Sequence, residues 1–470
     1  MRLRPLPSAD VPILRPFRAL RYQATRVPDL SAVLCPPYDV IGPGDQAELL
    51  RRHPYNAVRL ELPPAGEDGA DRSDDDARYW AAARTLVAWR TDGVLAKDAL
   101  PSLYVHEMRY DAGPKAAART ARGFMVRLRL EPLRSGSGVR PHERTMSGPK
   151  EDRYRLLRAT GTNLSPVVLL HEQPGTDVAL AELTAGAPVA TASEPSGIQH
   201  RLWAVPVSPG APVPSAGGEG PADPAGRLLH LVETGPLTIA DGHHRYETAL
   251  RYGEERAQRR ACESDPAYDY VLALIYAVDA APAPLATHRA VRGLTASGGA
   301  IGEAPGPDRG SFLAAAPGLF RVERLRDPDE LLARMAAPLP AEQERGRFGY
   351  QGPDGVALLW SRRERLAPLL DPALPEAARW LDTSLLAVAL RHLGGIGPDE
   401  LSDGERVKYL KDATAALSLA SESDDTVFLL DPTPVSAVLR VAEAGGVMPQ
   451  KSTYFQPKAP TGLLFNVLEQ

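Results

Sequence analysis

Ile239-Ala240-Asp241-Gly242-His243-His244-Arg245-Tyr246-Glu247 carries the densest pattern in the chain. Residues 237–240 lean apolar and read as a short buried strand. Residues 245–259 place Ala249, Leu250 and Tyr252 on or near one side, as an amphipathic helix requires. Asp241 to His244 is then the turn. A glycine between a strand and a helix lets the backbone turn tightly and approach a ligand closely. The first N–H groups of a helix have no intrahelical partner and lie at the positive end of its dipole, so this geometry makes an anion site. Arg245 adds a forked donor suited to phosphate, and His243 and His244 add donors in the right protonation state. Asp241 is a candidate helix cap or a ligand for a divalent cation. A plainer reading makes Asp241 an N-cap and the histidines polar turn residues. Against it stands the placing here of two of the chain's 10 histidines.

Strand and helix signals interleave on both sides of this segment. Upstream, residues 75–89 read as a helix with Tyr79, Ala83, Leu86 and Val87 at helical spacing and Gly93 as its stop. Residues 102–110 and 123–133 read as a hairpin, 163–170 and 201–207 as strands, and 227–233 as a short helix. Downstream, 268–278 is a buried strand and 287–291 the start of another. A hairpin is expected around 351–355, helices over 382–393, 404–420 and 435–444, and a strand over 427–430. No internal repeat of fixed period is present. The pattern predicts an α/β fold of the mixed, α+β kind.

One core rarely organises 470 residues. Three regions are expected: a mixed α/β region over 1–135, a core over 136–295, and a C-terminal α/β region over 296–470 that ends in an ordered tail. Residues 208–226, almost all Pro, Gly, Ala and Ser, form a predicted flexible linker inside the middle region.

The composition is that of a globular protein, with 43% hydrophobic and 24% charged residues. Its 40 glycines and 46 prolines predict long or numerous loops. A net charge of −5 argues against nucleic acid as the main partner. Two cysteines, Cys35 and Cys262, suggest neither a disulfide framework nor a thiolate zinc site, and point to a reducing compartment. The first residues lack the apolar stretch of a signal peptide, and the longest apolar run is strand-sized. A soluble, cytoplasmic protein with no membrane partner is expected; its oligomeric state is open, a homodimer included.

Three further constellations stand out. Pro141-His142-Glu143-Arg144-Thr145 is followed by Pro149-Lys150-Glu151-Asp152-Arg153. Glu143, in a Pro-bounded loop among cations, is a candidate general base, and Lys150 and Arg153 are candidate phosphate ligands. A solvated charged loop explains the same residues. Pro449-Gln450-Lys451-Ser452-Thr453-Tyr454-Phe455-Gln456-Pro457-Lys458 reads as a tail packed over something, whether a site or only the core. Pro36-Pro37-Tyr38-Asp39 is a rigid loop that is either structural or the wall of a site. No GxxxxGK[ST] phosphate loop, strand-borne GxGxxG, HExxH or GxSxG occurs, which argues against Walker-type, dinucleotide, zincin and serine-hydrolase chemistry.

These strings, together with Cys35–Ile41 and Pro54-Tyr55-Asn56-Ala57-Val58-Arg59-Leu60, resemble the bacterial and archaeal family called domain of unknown function 1015 over nearly the whole chain. More distantly, a Pro-His-Glu box followed by a Gly-His-His-Arg box resembles the ParB/sulfiredoxin superfamily and its kinases of free serine. That resemblance implies a nucleotide-binding ParB/sulfiredoxin-like core with additional mixed α/β regions at both ends. It further implies ATP or ADP with Mg²⁺, a small-molecule substrate, and a kinase acting on a hydroxyl such as that of free L-serine. Glu143 would be the base, Asp241 and His244 further catalytic residues, and Gly242, His243, His244 and Arg245 the phosphate cradle. Asp241 would also be the Mg²⁺ ligand. The other reading is a ParB-like nucleotide-binding regulator or switch without turnover.

Overall fold

Tyr270–Ala277 is apolar at almost every position, and a strand of that kind must be covered on both faces. In the computed structural model it runs in the middle of a nine-stranded sheet among the described residues. Those residues are 11–64, 76–111, 117–133, 136–143, 147–207, 223–259, 265–294, 311–339, 346–402, 405–449 and 451–468. The linker residues 208–222, Arg144, Thr145, Cys262 and Gln450 lie outside them. The chain forms two compact units. One comprises Met1–Pro141, Thr145–Pro282 and Pro457–Gln470, the other His142–Arg144 and Ala283–Gln456.

In the first unit the sheet order is Val139–Arg140, Leu237–Asp241, Val167–His171, Tyr270–Ala277, Arg119–Arg129, Ser102–Tyr110, Gln199–Pro206 and Ala190–Ser193, with Leu14–Arg15 also pairing to Arg119–Arg129. Two neighbouring pairs are parallel: Leu237–Asp241 with Val139–Arg140, and Tyr270–Ala277 with Val167–His171. The others in the sheet are antiparallel. The helix His243–Arg259 buries His243, Tyr246, Ala249 and Tyr252, a stripe at helical spacing. Tyr246, Ala249 and Tyr252 join one core with Ile239, Ala273 and Ile275. A second core gathers Leu20, Tyr22, Leu86, Trp89 and, from the far end of the chain, Phe465 and Val467.

One irregularity aims the site. Ile239 lies opposite Leu169 and Asp241 opposite Val168, so Ala240 is an extra residue in the ladder. Side chains alternate along a strand, and without this bulge Asp241 would share the core face of Ile239. With it, Asp241 lies on the other face, beside half-buried Val168.

The second unit is built on an antiparallel six-stranded sheet, ordered Phe320–Leu325, Gly355–Ser361, Arg347–Gly352, Thr426–Leu430, His288–Val291 and Val407–Leu410. The expected hairpin is present, with Gly352 paired to Gly355.

Two expectations are corrected. Regions 1–135 and 136–295 are not separate: they contribute strands to one sheet, and the division falls after Pro282 instead. Residues 404–420 are not one helix. Val407–Leu410 is a strand claimed by His288–Val291, and a new helix, Ala413–Glu422, starts where the Asp412 side chain accepts the Ala415 N–H at 2.7 Å. Pairing with a distant strand overrode the local helical spacing.

Gly253 tests the packing of the helix that follows the turn. Ala is intrinsically better in a helix by about 1 kcal/mol. A Cβ at Gly253, however, would lie 2.8 Å from the Tyr268 carbonyl oxygen. Overpacking against backbone costs about 1–3 kcal/mol. Gly253→Ala is therefore expected to lower the thermal midpoint by a few degrees, and a raised midpoint would show that the contact relaxes freely.

Candidate functional site

Gly242 sits at φ +92°, a conformation that side chains disfavour. Its carbonyl accepts the Tyr246 N–H at 3.0 Å, so Gly242 rather than Asp241 caps the helix His243–Arg259. A Cβ at Gly242 would stand 3.0 Å from Arg245 Nε, which means that the guanidinium folds back against the bare glycine. Arg245 donates to Asp241 Oδ2 and to the Pro166 carbonyl. Asp241 ends the strand, and the turn at Gly242 sets it against the first turn of the helix, where Arg245 reaches it.

The other oxygen of Asp241 is taken by the tail. Lys458 Nζ donates to Asp241 Oδ1 at 2.8 Å and also to Asp39 Oδ2. The Lys458 side chain is only 9% exposed, against 23% for Asp241 and 33% for Asp39. Burial by itself would raise the Asp241 carboxyl; Lys458 and Arg245 overcome it and hold the group well below the usual carboxylate range. Burial would likewise lower Lys458, and Asp241 and Asp39 hold it above the usual lysine range.

Asp39 belongs to the short 3₁₀ turn Tyr38–Val40 that follows Pro36-Pro37. Next to it, the Tyr38 ring lies under the Arg153 guanidinium, 4.1 Å from ring centroid to Cζ. Burial pushes the Tyr38 phenol up to about 12 in spite of Arg245 and Arg153. Arg153 is buried; it holds Asp152 through Nε at 2.8 Å and the Glu61 carbonyl through Nη1 at 2.8 Å. Glu61, 1% exposed, accepts from the Tyr38 N–H at 3.3 Å and the Ser165 hydroxyl at 3.1 Å. Glu61, Arg153, Ser165, Arg245 and Thr248 line a cavity of about 40 Å³, room for a few waters. Lys150 pairs with Glu247 at 2.9 Å on the first turns of the helix. His243 is buried and His244 half-buried.

Glu143 belongs to the second unit. It bridges to Met448, and its Oε1 accepts the Lys451 N–H at 3.0 Å. Lys451 has φ +56°, so this bond holds an unusual turn. His142 is buried with Nε2 3.0 Å from Thr453 Oγ1. Arg289, buried over the Tyr409 ring at 4.3 Å, donates to the Lys451 carbonyl at 3.0 Å, and burial pushes its pKa down to about 10.

The first unit thus gathers Asp241, Gly242, Arg245 and Arg153 with the Pro36–Asp39 loop and Lys458; Glu143 is placed with the other half of the tail. Glu61 is not singled out by the sequence, and Lys458 reads there only as a member of the 449–458 tail, without a role of its own. Glu61 gave no signal, because its role comes from burial. As for Mg²⁺, both oxygens of Asp241 accept from cationic side chains, and no group of three or more His, Cys, Asp or Glu side chains arranged to hold a metal occurs among the described residues. The residues alone do not make a metal site here.

The fold and site define a mixed α/β protein with a charged strand–turn–helix centre. The sequence profile described as Protein of unknown function (DUF1015) matches residues 14–364, and the chain belongs to that family. No curated protein matches it. Among solved structures, a conserved hypothetical protein from Pyrococcus furiosus aligns with 69% of this chain and 90% of its own, at 13% identity and a TM-score of 0.30. A free serine kinase in complex with AMP aligns with 67% of this chain and 83% of its own, at 12% identity and a TM-score of 0.29. SbnI with a C-terminal truncation, from Staphylococcus aureus, aligns with 71% of this chain and 86% of its own, at 9% identity and a TM-score of 0.31. No helix among the described residues is long and apolar enough to cross a membrane.

Folding lowers the Asp241 pKa from its ordinary 3.8. Its contribution to stability is therefore complete above that value and is lost as pH falls toward the folded-state pKa. In urea unfolding, wild type is expected to exceed Asp241→Asn by at least about 1 kcal/mol near neutral pH. That gap should hold from about pH 5 to 8 and narrow below about pH 4. A gap that stays constant down to about pH 3 would show that the carboxylate is not held by its cations.

Proposed function

We propose that the first unit contains a ParB/sulfiredoxin-like nucleotide-binding core, and that the Asp241–Arg245 turn takes the phosphates of ATP or ADP. The observation that carries this is the meeting of Arg245 and Lys458 at the start of a 17-residue helix, directly after a glycine at positive φ. A helix start with flanking cations favours a multiply charged anion. In this reading the protein is a small-molecule kinase. The nucleotide would give its terminal phosphoryl group to a substrate hydroxyl, with free L-serine as the acceptor implied by the resemblance. Glu143 is the base that the resemblance implies. The protein's part would be mainly positioning and charge neutralisation. Mg²⁺, if used, enters with the nucleotide phosphates rather than at a preformed protein site.

One observation favours the second reading, a nucleotide-binding regulator. Glu143 already has a structural task, holding the Lys451 turn. Gln keeps an oxygen that can accept the same N–H, so Glu143→Gln separates that task from base chemistry.

The test is the full chain with ATP or ADP and an amino-acid panel, with phosphorylated products read by mass spectrometry. The kinase reading expects phosphoserine, its loss in Glu143→Gln, and unchanged nucleotide affinity in that variant. Arg245→Ala is expected to weaken nucleotide binding about tenfold or more. Tight binding with no product across the panel would favour the regulator, and undiminished binding by Arg245→Ala would refute the phosphate cradle.

A further inference from the structure

We propose that Lys458 is a phosphate-binding residue of this site, and that Asp39 is the internal anion that occupies it until a nucleotide arrives. This rests on the reading of the Asp241–Arg245 turn as a phosphate site.

Lys458 is held from one side by its own segment. Thr461 and Cys35 exchange backbone hydrogen bonds, N to O, at 2.8 and 3.1 Å. Phe465 and Leu20 do the same at 2.9 and 3.0 Å, and the Leu468 N–H reaches the Gly161 carbonyl at 2.8 Å. Pro457 and Pro460 stiffen the backbone on either side of Lys458. The ammonium is thus delivered to the turn by a segment that is itself anchored, with little exposure to water.

Four charged groups then meet: Arg245 and Lys458 against Asp241 and Asp39. Their formal charges cancel. A phosphate brought to Arg245, Lys458 and the helix start adds negative charge to a balanced cluster, so a carboxylate must give way. Asp241 is the poor candidate, because it is held by two cations and lies at the end of a sheet strand. Asp39 is the good one. It is the most exposed of the three residues in the Lys458 pairs and sits on a turn of three residues, so it can turn to solvent while a phosphate oxygen takes its place on the ammonium. A carboxylate and a phosphate oxygen present the same acceptor to an ammonium. Asp39 therefore stands where a phosphate oxygen would be.

The two halves of the proposal predict opposite signs, which a purely structural ion pair does not. With ADP as probe and calorimetry on the full chain, Asp39→Asn should bind about three- to tenfold more tightly than wild type, because the competing anion is gone. Lys458→Met should bind about tenfold more weakly or worse, and Lys458→Arg, which keeps the charge, should recover most of the loss. Both Asp39→Asn and Lys458→Met break the same pair, so a merely structural role shifts affinity in the same direction in both and overturns the proposal. Wild-type affinity in Lys458→Met overturns it too. If Lys458→Met does not fold, Asp39→Asn and Lys458→Arg decide the matter: weaker binding by the first, or no binding by a folded second, overturns the proposal. If wild type binds ADP and Arg245→Ala does not, while Lys458→Met binds normally, this inference alone falls. If wild type binds no ADP, the phosphate reading falls first and this inference with it.

Discussion

The carboxylate of Asp241 accepts from Arg245 on one oxygen and from Lys458 on the other, and the local architecture converges on that pair of bonds. One donor comes from four residues along the same chain segment. The other comes from 217 residues away. For both to reach it, the strand must end with its last side chain off the core face, the next residue must turn at positive φ, and the tail must lie across the Cys35–Asp39 loop. The bulge at Ala240, Gly242 and the Thr461–Cys35 bridge supply these three conditions in turn.

Stability alone does not account for so many charges at one place. Buried ion pairs lose much of their Coulomb energy to desolvation, and apolar replacements of similar volume are often as stable or more so. For Asp241 burial is the largest single influence on its pKa, yet the cations prevail and the group stays ionised. The neighbouring polar groups are also partnered: Glu61 by Tyr38 and Ser165, Arg153 by Asp152 and the Glu61 carbonyl. A network with its partners supplied is rigid, and it holds these charges at fixed positions.

The tail has two distinct tasks, one in each unit. Lys451 to Thr453 closes around Glu143, His142 and Arg289. Lys458 onward completes the turn at Asp241. The stretch 449–458 thus serves two sites, although it reads as one motif. This explains why its composition of lysines, aromatics and prolines pointed to a packed tail without saying what the tail covered.

Local physics was legible in the sequence. Ser102–Tyr110 is a strand at the expected bounds, and the helix after Gly242 shows its stripe in Tyr246, Ala249 and Tyr252, because period and turn chemistry depend on near neighbours. The turn itself rested on the same kind of signal, a glycine before a helix start. Long-range pairing decided the rest. Val407–Leu410 became a strand because His288–Val291 lay beside it, regions 1–135 and 136–295 merged because their strands share a sheet, and Asp241 changed faces through one extra residue in a ladder. Asp39 and Lys458 stand 419 residues apart, and no local pattern of charge or spacing marks them as partners. Only the folded chain brings the two carboxylates to one ammonium, because burial and Coulomb attraction act across space rather than along the sequence.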